Sequence, residues 1–229
     1  MTDPTTNPST LPQWRGQPVP WVTRWSAENQ EHVAYGATPR PDGSLAVSYK
    51  GGKGMRDHMG VLWLYEGIRR GGEPEWRRVS TYRQRACMIK GLCQVCGKKI
   101  QESPIEWLMP FDGIEQWSSN VSLTMQPPTC AACIPLALDV CPNLRKRGWM
   151  ILRVLEFTPW GIYGEVPYLN DEGKLVRTMG AASYTDPEAP LRGMVARQMV
   201  VKLVKYTVKE RGGGEQAEHR AGAADGVVV

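Results

Sequence analysis

Two Cys-x-x-Cys pairs constrain this chain more than any other sequence feature. The first pair is Cys93 with Cys96 and the second is Cys130 with Cys133. Two thiols separated by two residues can bind one metal ion from a single tight turn, and two such pairs supply the four ligands of a tetrahedral structural site. Four free buried thiols are the alternative, which this spacing disfavours. The sequence therefore predicts a structural Zn²⁺ ion bound by all four cysteines.

The residues around both cysteine pairs favour the deprotonated, thiolate form of the cysteines. Cys130 is predicted to open a helix, and the positive end of a helix lowers the pKa of a thiol. Four thiolates on a divalent ion leave a net negative centre, and Lys90, Lys98 and Lys99 lie close enough in sequence to offset it. Cys87 and Cys141 lack ligand spacing and are interpreted as packed core thiols. For Cys141, two helical turns past Cys133, a position near the metal is the alternative.

The order of these motifs resembles a treble-clef zinc finger. Cys93-Gln94-Val95-Cys96-Gly97 reads as a zinc knuckle, in which glycine suits a turn that aims amides at sulfur. A hairpin and then Cys-x-x-Cys at a helix start complete the order, over roughly Cys93 to Cys141. The whole chain is also similar to short uncharacterised bacterial or phage zinc proteins that share these motifs and a following Cys-Pro. That second resemblance implies no function.

The treble-clef resemblance suggests nuclease activity as one possible reaction, because the His-Asn-His endonucleases use the same scaffold. They need a histidine on the hairpin to activate water and another on the helix to bind metal. No histidine occurs between Cys96 and Cys130 or in the helix that follows. The nuclease interpretation is therefore disfavoured.

The remaining pattern predicts an α+β fold, with antiparallel β-hairpins packed against the treble-clef finger and a C-terminal helix. Composition and turn residues divide the chain into consecutive segments. We expect a disordered N-terminal arm (1–20), a β unit (21–80), the finger with its preceding helix (81–145), β-hairpins and the C-terminal helix of the same body (146–210), and a disordered tail (211–229).

Local signals predict individual elements. A helix is expected from Thr81, with a capping box between Thr81 and Gln84, to Lys90, ending at Gly91. Turns at Pro41-Asp42-Gly43 and Thr158-Pro159 each predict a hairpin, and Asp171-Glu172-Gly173 predicts a further turn. An apolar stripe from Leu191 to Tyr206 predicts the C-terminal helix. Its β-branched residues make a strand the alternative.

Between Glu75 and Glu102 the chain has basic residues but no acidic residue. The exposed side chains of this basic run, with Trp76 and Tyr82 available for stacking, favour contacts with phosphates and bases. The alternative is a solvated helix whose charges pair with the acidic hairpin after the knuckle. The predicted nucleic-acid-binding residues are Arg77, Arg78, Arg83, Arg85, Lys90, Lys98 and Lys99.

A glycine-rich segment after a predicted strand is the second place where chemistry is expected. Its amides and basic side chains can receive an anion, although an ordinary flexible loop fits the pattern as well. The candidate residues are Lys50, Lys53, Arg56 and His58. A metal-dependent enzyme with its site here is one alternative function, and a protein-interaction adaptor or inhibitor is another.

The leading functional hypothesis is a non-catalytic, zinc-stabilised binding protein that contacts nucleic acid, including DNA, or a component of the nucleic-acid machinery. A protein partner is the other expected class. The chain has no apolar run near the roughly 20 residues that a membrane span needs, and its start has no leader pattern. We therefore expect a cytoplasmic protein without a membrane partner.

Overall fold

The computed structural model describes residues 11–29, 35–42, 44–50, 56–111, 122–187 and 189–213. These residues form mostly antiparallel strands and three short helices, which agrees with the predicted α+β class. They belong to two compact units. Unit 1 comprises Met1–Val22, Ala86–Pro159 and Val201–Val229, and unit 2 comprises Thr23–Arg85 and Trp160–Val200. Each unit thus combines segments that are distant in sequence, whereas the predicted segments are consecutive.

Twelve strands and three α-helices are found among the described residues. In chain order, the strands are β1 (Gln13–Trp14), β2 (Gln17–Pro18), β3 (Thr23–Trp25), β4 (Tyr35–Pro39), β5 (Leu45–Tyr49), β6 (Leu62–Trp63), β7 (Pro74–Val79), β8 (Ile105–Pro110), β9 (Leu123–Thr124), β10 (Trp149–Leu169), β11 (Leu175–Ser183) and β12 (Val195–Gly212). The helices are α1 (Thr81–Lys90), α2 (Ile134–Val140) and α3 (Pro142–Arg147). None of these helices is both long and apolar enough to cross a membrane.

In unit 2, strand order in the main sheet is β11, β10, β12 and β6. β10 and β11 form a hairpin whose register runs from Gly161 opposite Ser183 to Leu169 opposite Leu175. The first residues of β12 run parallel to β6. The predicted hairpin between β4 and β5 is confirmed, with Tyr35 opposite Tyr49, although Gly43 in its turn lies outside the described residues.

In unit 1, β8 pairs with the first residues of β10, and β9 pairs with β12. The segment 130–147 then supplies the helical part. A short 3-10 turn at Ala131–Cys133 precedes α2, and Pro142 is the first residue of α3. Proline suits a first helical position because it needs no intrahelical N–H bond there. The predicted helix from Cys130 to Cys141 is therefore a turn and a helix, followed by a second helix that the sequence pattern does not predict.

Helix α1 has the predicted limits but a different N-terminal cap. It begins at Thr81 and ends at Lys90, before Gly91 at φ +61°. The Ser80 hydroxyl accepts a bond from the Arg83 amide at 3.4 Å. The side chain of Gln84 instead exchanges two 2.9 Å bonds with the Met199 backbone. The predicted Thr81–Gln84 capping box is wrong, because a buried strand uses the glutamine that the cap requires.

The predicted C-terminal helix is also wrong, since Val195–Gly212 is strand β12. Val195, Val200 and Val201 are fully buried along it. β-branched side chains lose rotamer freedom in a helix and pack well on a pleated surface. Sheet partners on both sides therefore outweigh the helical spacing of the other apolar residues.

The predicted hairpin at Thr158-Pro159 is wrong as well, because β10 is one unbroken strand. Its residues 149–154 pair with β8 and its residues 161–169 pair with β11. Pro159 lies between these stretches, so its missing N–H removes no ladder bond to β8 or β11. The predicted turn at Asp171-Glu172-Gly173 is confirmed, with Gly173 at φ +72° and a 3.0 Å bond from the Asn170 amide to the Lys174 carbonyl.

Part of the expected N-terminal arm is folded. β1 and β2 pair with each other, and Leu11 and Val19 are buried. Residues 1–10 of the predicted arm and residues 214–229 of the predicted tail lie outside the described residues. Buried apolar side chains at these two positions offset the ordering cost that composition alone suggests.

Candidate metal centre and basic surfaces

The four predicted cysteines meet in unit 1. Their Sγ atoms all lie within 4.8 Å of one another, and Cys96 Sγ is 4.0 Å from Cys130 Sγ. Four thiolates at a Zn–S distance of about 2.3 Å would stand about 3.8 Å apart at the corners of a tetrahedron. None of the four is in a disulfide. The arrangement can therefore hold a metal ion, as predicted from the spacing.

The first cysteine pair sits on a tight turn. The Gly97 amide donates to the Cys93 carbonyl at 2.8 Å, and the Cys93 amide donates to the Lys98 carbonyl at 2.8 Å. Gly97 has φ +74°, and a Cβ there would lie 2.6 Å from the Trp21 ring. Both the backbone angle and the close ring require glycine. The predicted knuckle glycine thus has a second reason, which only the structure shows.

The second pair sits on the 3-10 turn before α2. The Cys133 amide donates to the Cys130 carbonyl at 2.9 Å, which holds the two thiols on one side of the turn. Cys130 and Cys133 are buried, as is Cys93, while Cys96 is half-buried. Apolar residues surround the group: Leu11, Val95, Ile100, Ile105, Leu136 and Ala137. The site is thus enclosed by side chains from three separate stretches of unit 1.

The immediate surroundings stabilise thiolate on the knuckle. Hydrogen bonds with Cys130 and Cys133, together with one from the Lys98 amide, lower the pKa of the Cys96 thiol far below its usual value. Hydrogen bonds with Cys130 and Cys133 also lower the pKa of Cys93, and the Cys96 amide contributes. Hydrogen bonds with Cys93 and Cys96 in turn raise the pKa of the Cys130 and Cys133 thiols, which are the donors to the two knuckle sulfurs.

No protein-family model, curated protein or solved structure matches this chain. The candidate metal centre and the surfaces of the two units are therefore what bears on its function.

Gln94 connects the two cysteine pairs. Its side-chain Nε2 donates to the Pro127 carbonyl and to the Thr129 hydroxyl, both at 2.9 Å, and its amide donates to the Pro128 carbonyl at 2.9 Å. Thr129, directly before Cys130, is fully buried. Sequence reasoning missed this contact because the partners are about 35 positions apart. The only sequence signal for this contact is the polar side chain of Gln94 between Cys93 and Cys96.

The N-terminal segment also touches the knuckle. The Trp21 amide donates to the Val95 carbonyl at 2.7 Å, and the Val22 amide donates to the Gln94 carbonyl at 3.0 Å. The four-cysteine centre therefore stands among three strand-like or turn segments: residues 11–22, the knuckle, and residues 127–133.

The other two cysteines take no part in the group of four. Cys87 is fully buried on α1. Cys141 packs against the apolar cluster of Leu108, Ile134, Leu144 and Ile151. Both placements agree with packed thiols.

The structure separates the predicted basic residues into two classes. Arg83 is buried, and its guanidinium donates to both oxygens of the Glu28 carboxylate at 2.6 Å and to the Thr23 carbonyl at 2.8 Å. Arg85 stacks on the Trp63 ring, 4.4 Å from its centroid, and lies 3.6 Å from Asp57. These two guanidinium groups act inside unit 2.

The other five predicted basic residues are exposed. Arg77 and Arg78 lie on β7 in unit 2. Lys90, Lys98 and Lys99 lie in unit 1, at the end of α1 and beside the knuckle. Lys99 Nζ donates to the Lys90 carbonyl, an orphan acceptor at the end of the helix. Each unit therefore carries its own part of the predicted basic run.

The glycine-rich segment is only partly described, because Lys53 lies outside the described residues. Lys50 and His58 are exposed. Arg56 donates to the Gly60 carbonyl at 2.6 Å and to the carbonyls of Val47 and Arg192. Burial, together with the charges of Arg40 and Arg192, lowers the pKa of Arg56. The sequence could not show this grouping, since Arg192 is 136 positions away.

Asp57, directly before the candidate residue His58, has contacts of its own. Its carboxylate accepts bonds from the Met59 and Val61 amides and from Trp63 Nε1 at 2.8 Å. It therefore shapes its own loop and holds the Trp63 ring.

Proposed function

We propose that this chain is a non-catalytic, zinc-stabilised binding protein that contacts nucleic acid. One observation carries the first half of the proposal. All four positions around the centre are filled by thiols of the chain itself, and a metal with four protein ligands offers no position for water or substrate. The metal then has a structural task, and the functional task falls to the surface.

Zinc is the metal that best fits this donor set. Four thiolates with tetrahedral spacing select zinc or iron–sulfur chemistry, and structural zinc sites are almost always four-coordinate and tetrahedral. The order of knuckle and helical turn follows the treble-clef comparison, whereas the predicted hairpin between them is not found as a β8–β9 pair among the described residues. In this chain the strands between the two cysteine pairs, β8 and β9, pair with β10 and β12.

Exposed basic residues support the nucleic-acid half of the proposal. In unit 1 they are Lys90, Lys98 and Lys99, and in unit 2 they are Arg77 and Arg78. Phosphate contacts by such side chains release counterions and give binding that weakens steeply with salt. Arg83 and Arg85 support the fold and are left out of the proposed interface.

A salt titration tests the nucleic-acid proposal. Fluorescence anisotropy with generic DNA and RNA oligonucleotides should show micromolar binding at about 50 mM salt, with the logarithm of affinity falling linearly with the logarithm of salt concentration. Replacing Lys98 and Lys99 together by Glu should weaken binding to all sequences and reduce the slope by roughly one per lost contact. Lys174→Glu, at an exposed turn, is the matched control. Absence of binding at low salt would refute the proposal.

Metal analysis tests the zinc proposal independently. Purified protein should contain one zinc ion per chain by inductively coupled plasma mass spectrometry. A different metal, or a fraction near zero in protein that is folded, would contradict a structural zinc site.

A further inference from the structure

A cavity of about 270 Å³ lies beside the cysteine turn of unit 1. Its apolar lining comes from Ile100, Pro104 and Ala131, and its polar lining includes Glu102, Glu106 and Arg153. We name these six residues the Arg153 cavity. Cavities that hold drug-sized ligands usually measure about 300–1,000 Å³, so this one suits a single ring-sized group.

The apolar wall of the cavity is anchored to the four-cysteine group. Ile100 is 5% exposed and packs in the apolar cluster that holds the cysteines. Its amide also donates to the Gly91 carbonyl at 3.0 Å. Ala131 lies between the two cysteines of the second pair, on the 3-10 turn. The wall is therefore in place before a ligand arrives, which lowers the entropic cost of binding.

The arginine of the cavity keeps an unpaired positive charge. Glu106 and Arg153 face each other across the ladder between β8 and β10, where opposite charges commonly interact. The Glu106 carboxylate, however, pairs with Lys209. Among the residues that the structure describes, Arg153 has no hydrogen-bond or ion-pair partner. Its guanidinium donors can therefore bind an anionic group at the cavity.

The two carboxylates of the cavity keep acceptor capacity. Glu106 Oε1 bonds Lys209, and Glu102 Oε2 accepts the Gln101 amide at 3.0 Å. In each carboxylate the second oxygen accepts no hydrogen bond from the described part of the chain. An ionised carboxylate only accepts hydrogen bonds, so these oxygens suit a ligand that carries a donor such as an amino group.

These features together match one nucleotide of a single strand. Its phosphate suits Arg153, its base suits the apolar wall, and an amino group on the base suits the carboxylates. A phosphate ion alone would use only the arginine, and a lysine side chain would use only the carboxylates. A base in a duplex is stacked and paired, so it cannot enter such a cavity unless it is flipped out.

Basic residues continue from the cavity along the chain. Lys99 directly precedes Ile100, and Lys98 is one residue further, with its Cα atom within about 8 Å of the Ile100 Cα atom. Both lysines are exposed. A free amino acid would also offer an anion, an apolar body and an amino group, but it has no second anion for these lysines. The neighbouring phosphates of a strand supply one.

Building on the proposed nucleic-acid function, we propose that the Arg153 cavity binds one unstacked nucleotide of a single strand and prefers a base that carries an amino group. The guanidinium contacts the phosphate, the apolar wall contacts the base, and Glu102 and Glu106 accept hydrogen bonds from its amino group. Cytosine should therefore bind better than uracil, which carries a carbonyl oxygen where cytosine carries the amino group.

Binding of two matched strands tests this assignment. The probes are oligodeoxycytidine and oligodeoxyuridine of about twelve nucleotides, in fluorescence anisotropy at neutral pH and about 50 mM salt. The cytidine strand should bind about fivefold tighter or more, which is the low end of the discrimination that one base contact provides.

Two variants separate the parts of the cavity. Glu102→Gln should reduce the preference for cytidine, because an amide donates as well as accepts. Arg153→Met should weaken both strands and reduce the salt slope by roughly 0.7, the value for one single-strand phosphate contact. Glu156→Gln, at an exposed position of β10 outside the cavity, is the matched control for the lost carboxylate charge. Circular dichroism and metal content confirm that each variant is folded.

Nuclear magnetic resonance gives a readout that does not depend on a long strand. Titration of the isotope-labelled protein with 2′-deoxycytidine 5′-monophosphate should shift the amide resonances of Glu102, Ala131 and Arg153. The uridine analogue should shift them less at the same concentration. Free leucine is the third probe and should leave them unchanged.

The outcomes separate this assignment from the proposed function. Equal affinity of the two strands, or mononucleotide shifts confined to residues outside the cavity, would overturn the assignment and leave nucleic-acid binding standing. A cytidine preference that persists unchanged in Glu102→Gln and Arg153→Met would also overturn it. Shifts of the cavity amides by leucine but not by the mononucleotides would identify an amino-acid site instead. No binding of either strand at low salt would overturn both proposals.

Discussion

Unit 1 gathers its segments around four thiols, whereas unit 2 gathers its segments around buried ion pairs. In unit 1 the knuckle and the turn before α2 share one group of sulfur atoms within 4.8 Å. In unit 2, Arg83 and Glu28 join α1 to the segment after β3, and Arg24 meets Glu66 and Glu75. In each unit, a few polar side chains hold together segments that are distant in sequence.

The four-cysteine group and the buried ion pairs differ in how they affect the free energy of folding. A structural metal adds its binding free energy directly to folding. A buried ion pair gains little beyond its desolvation cost, but removal of one partner leaves an unpaired buried charge. A metal ion bound by the four cysteines should therefore decide whether unit 1 folds, and the buried arginines should decide which arrangement unit 2 adopts.

Loss of a thiol should have the largest effect. Cys96→Ser removes one ligand, so we expect loss of the metal and of folding free energy on the order of 10 kcal/mol, confined to unit 1. Hydrogen exchange should then rise in the peptides of unit 1, and bound metal should disappear. Cys141→Ser is the control, because Cys141 packs in an apolar cluster apart from the four. A Cys96→Ser protein that still holds one metal ion would contradict the assigned ligand set.

Loss of a buried guanidinium should rank second. Arg83→Met leaves the Glu28 carboxylate buried without its partner, and about 3–5 kcal/mol of unfolding free energy should be lost. Urea denaturation measures the change. Arg77→Met, at an exposed position, should change stability by less than about 0.5 kcal/mol. If Arg83→Met and Arg77→Met changed the unfolding free energy equally, the Arg83–Glu28 pair would have no special role in unit 2. The contrast drawn between the two units would then be wrong.

Loss of the contact between the two cysteine pairs should rank third. Gln94→Ala removes the bonds to Pro127 and Thr129 and leaves a buried hydroxyl and carbonyl with fewer partners, at a cost of about 1–3 kcal/mol. Metal affinity, measured by competition with a chromophoric chelator, should fall roughly 10- to 100-fold. The exposed Gln101→Ala should leave affinity unchanged. An effect on stability without any change in metal affinity would show that Gln94 supports the fold but not the site.

Acid titration of unit 2 should give the smallest effect. Burial raises the pKa of Glu165, but hydrogen bonds from Tyr35 and Arg197 outweigh it and hold the pKa below its usual value. A depressed pKa gives stability that is present above the unfolded value of 4.5 and is lost as pH falls through the folded value. Glu165→Gln should therefore flatten the loss of stability below pH 4.5, as followed by urea denaturation at several pH values.

Glu66 provides the contrast within the same unit. Burial raises its pKa, so its protonation stabilises the folded state as pH falls. Glu66→Gln should therefore steepen the acid loss where Glu165→Gln flattens it. Variants that move in the same direction would show that these two carboxylates do not set the acid response.

The sequence was informative where a local pattern decided the outcome. The limits of α1 follow from its flanking residues, the hairpin between β4 and β5 from its turn, and the four clustered cysteines from their spacing. None of these depends on a distant partner. Turn chemistry and ligand spacing are short-range properties, which a single sequence contains in full.

The sequence misled where a distant partner decided the outcome. β12 is a strand because it has sheet neighbours, and Gln84 leaves its predicted cap for Met199. Arg83 and Arg85 read as surface residues until the structure places Glu28 and Trp63 beside them. Periodicity and charge cannot report such partners, so these two arginines were assigned to the wrong environment.

The interleaved order of the segments also limits how the chain can be divided in the laboratory. Unit 2 is interrupted by Ala86–Pro159, and unit 1 returns at Val201. No single cut releases either unit as a continuous polypeptide. A minimal version of unit 2 would need Arg85 joined to Trp160 by a new linker, and unit 1 would need two such junctions. Domain-by-domain expression, the usual first step for a protein of this kind, should therefore begin from rejoined chains and not from truncations.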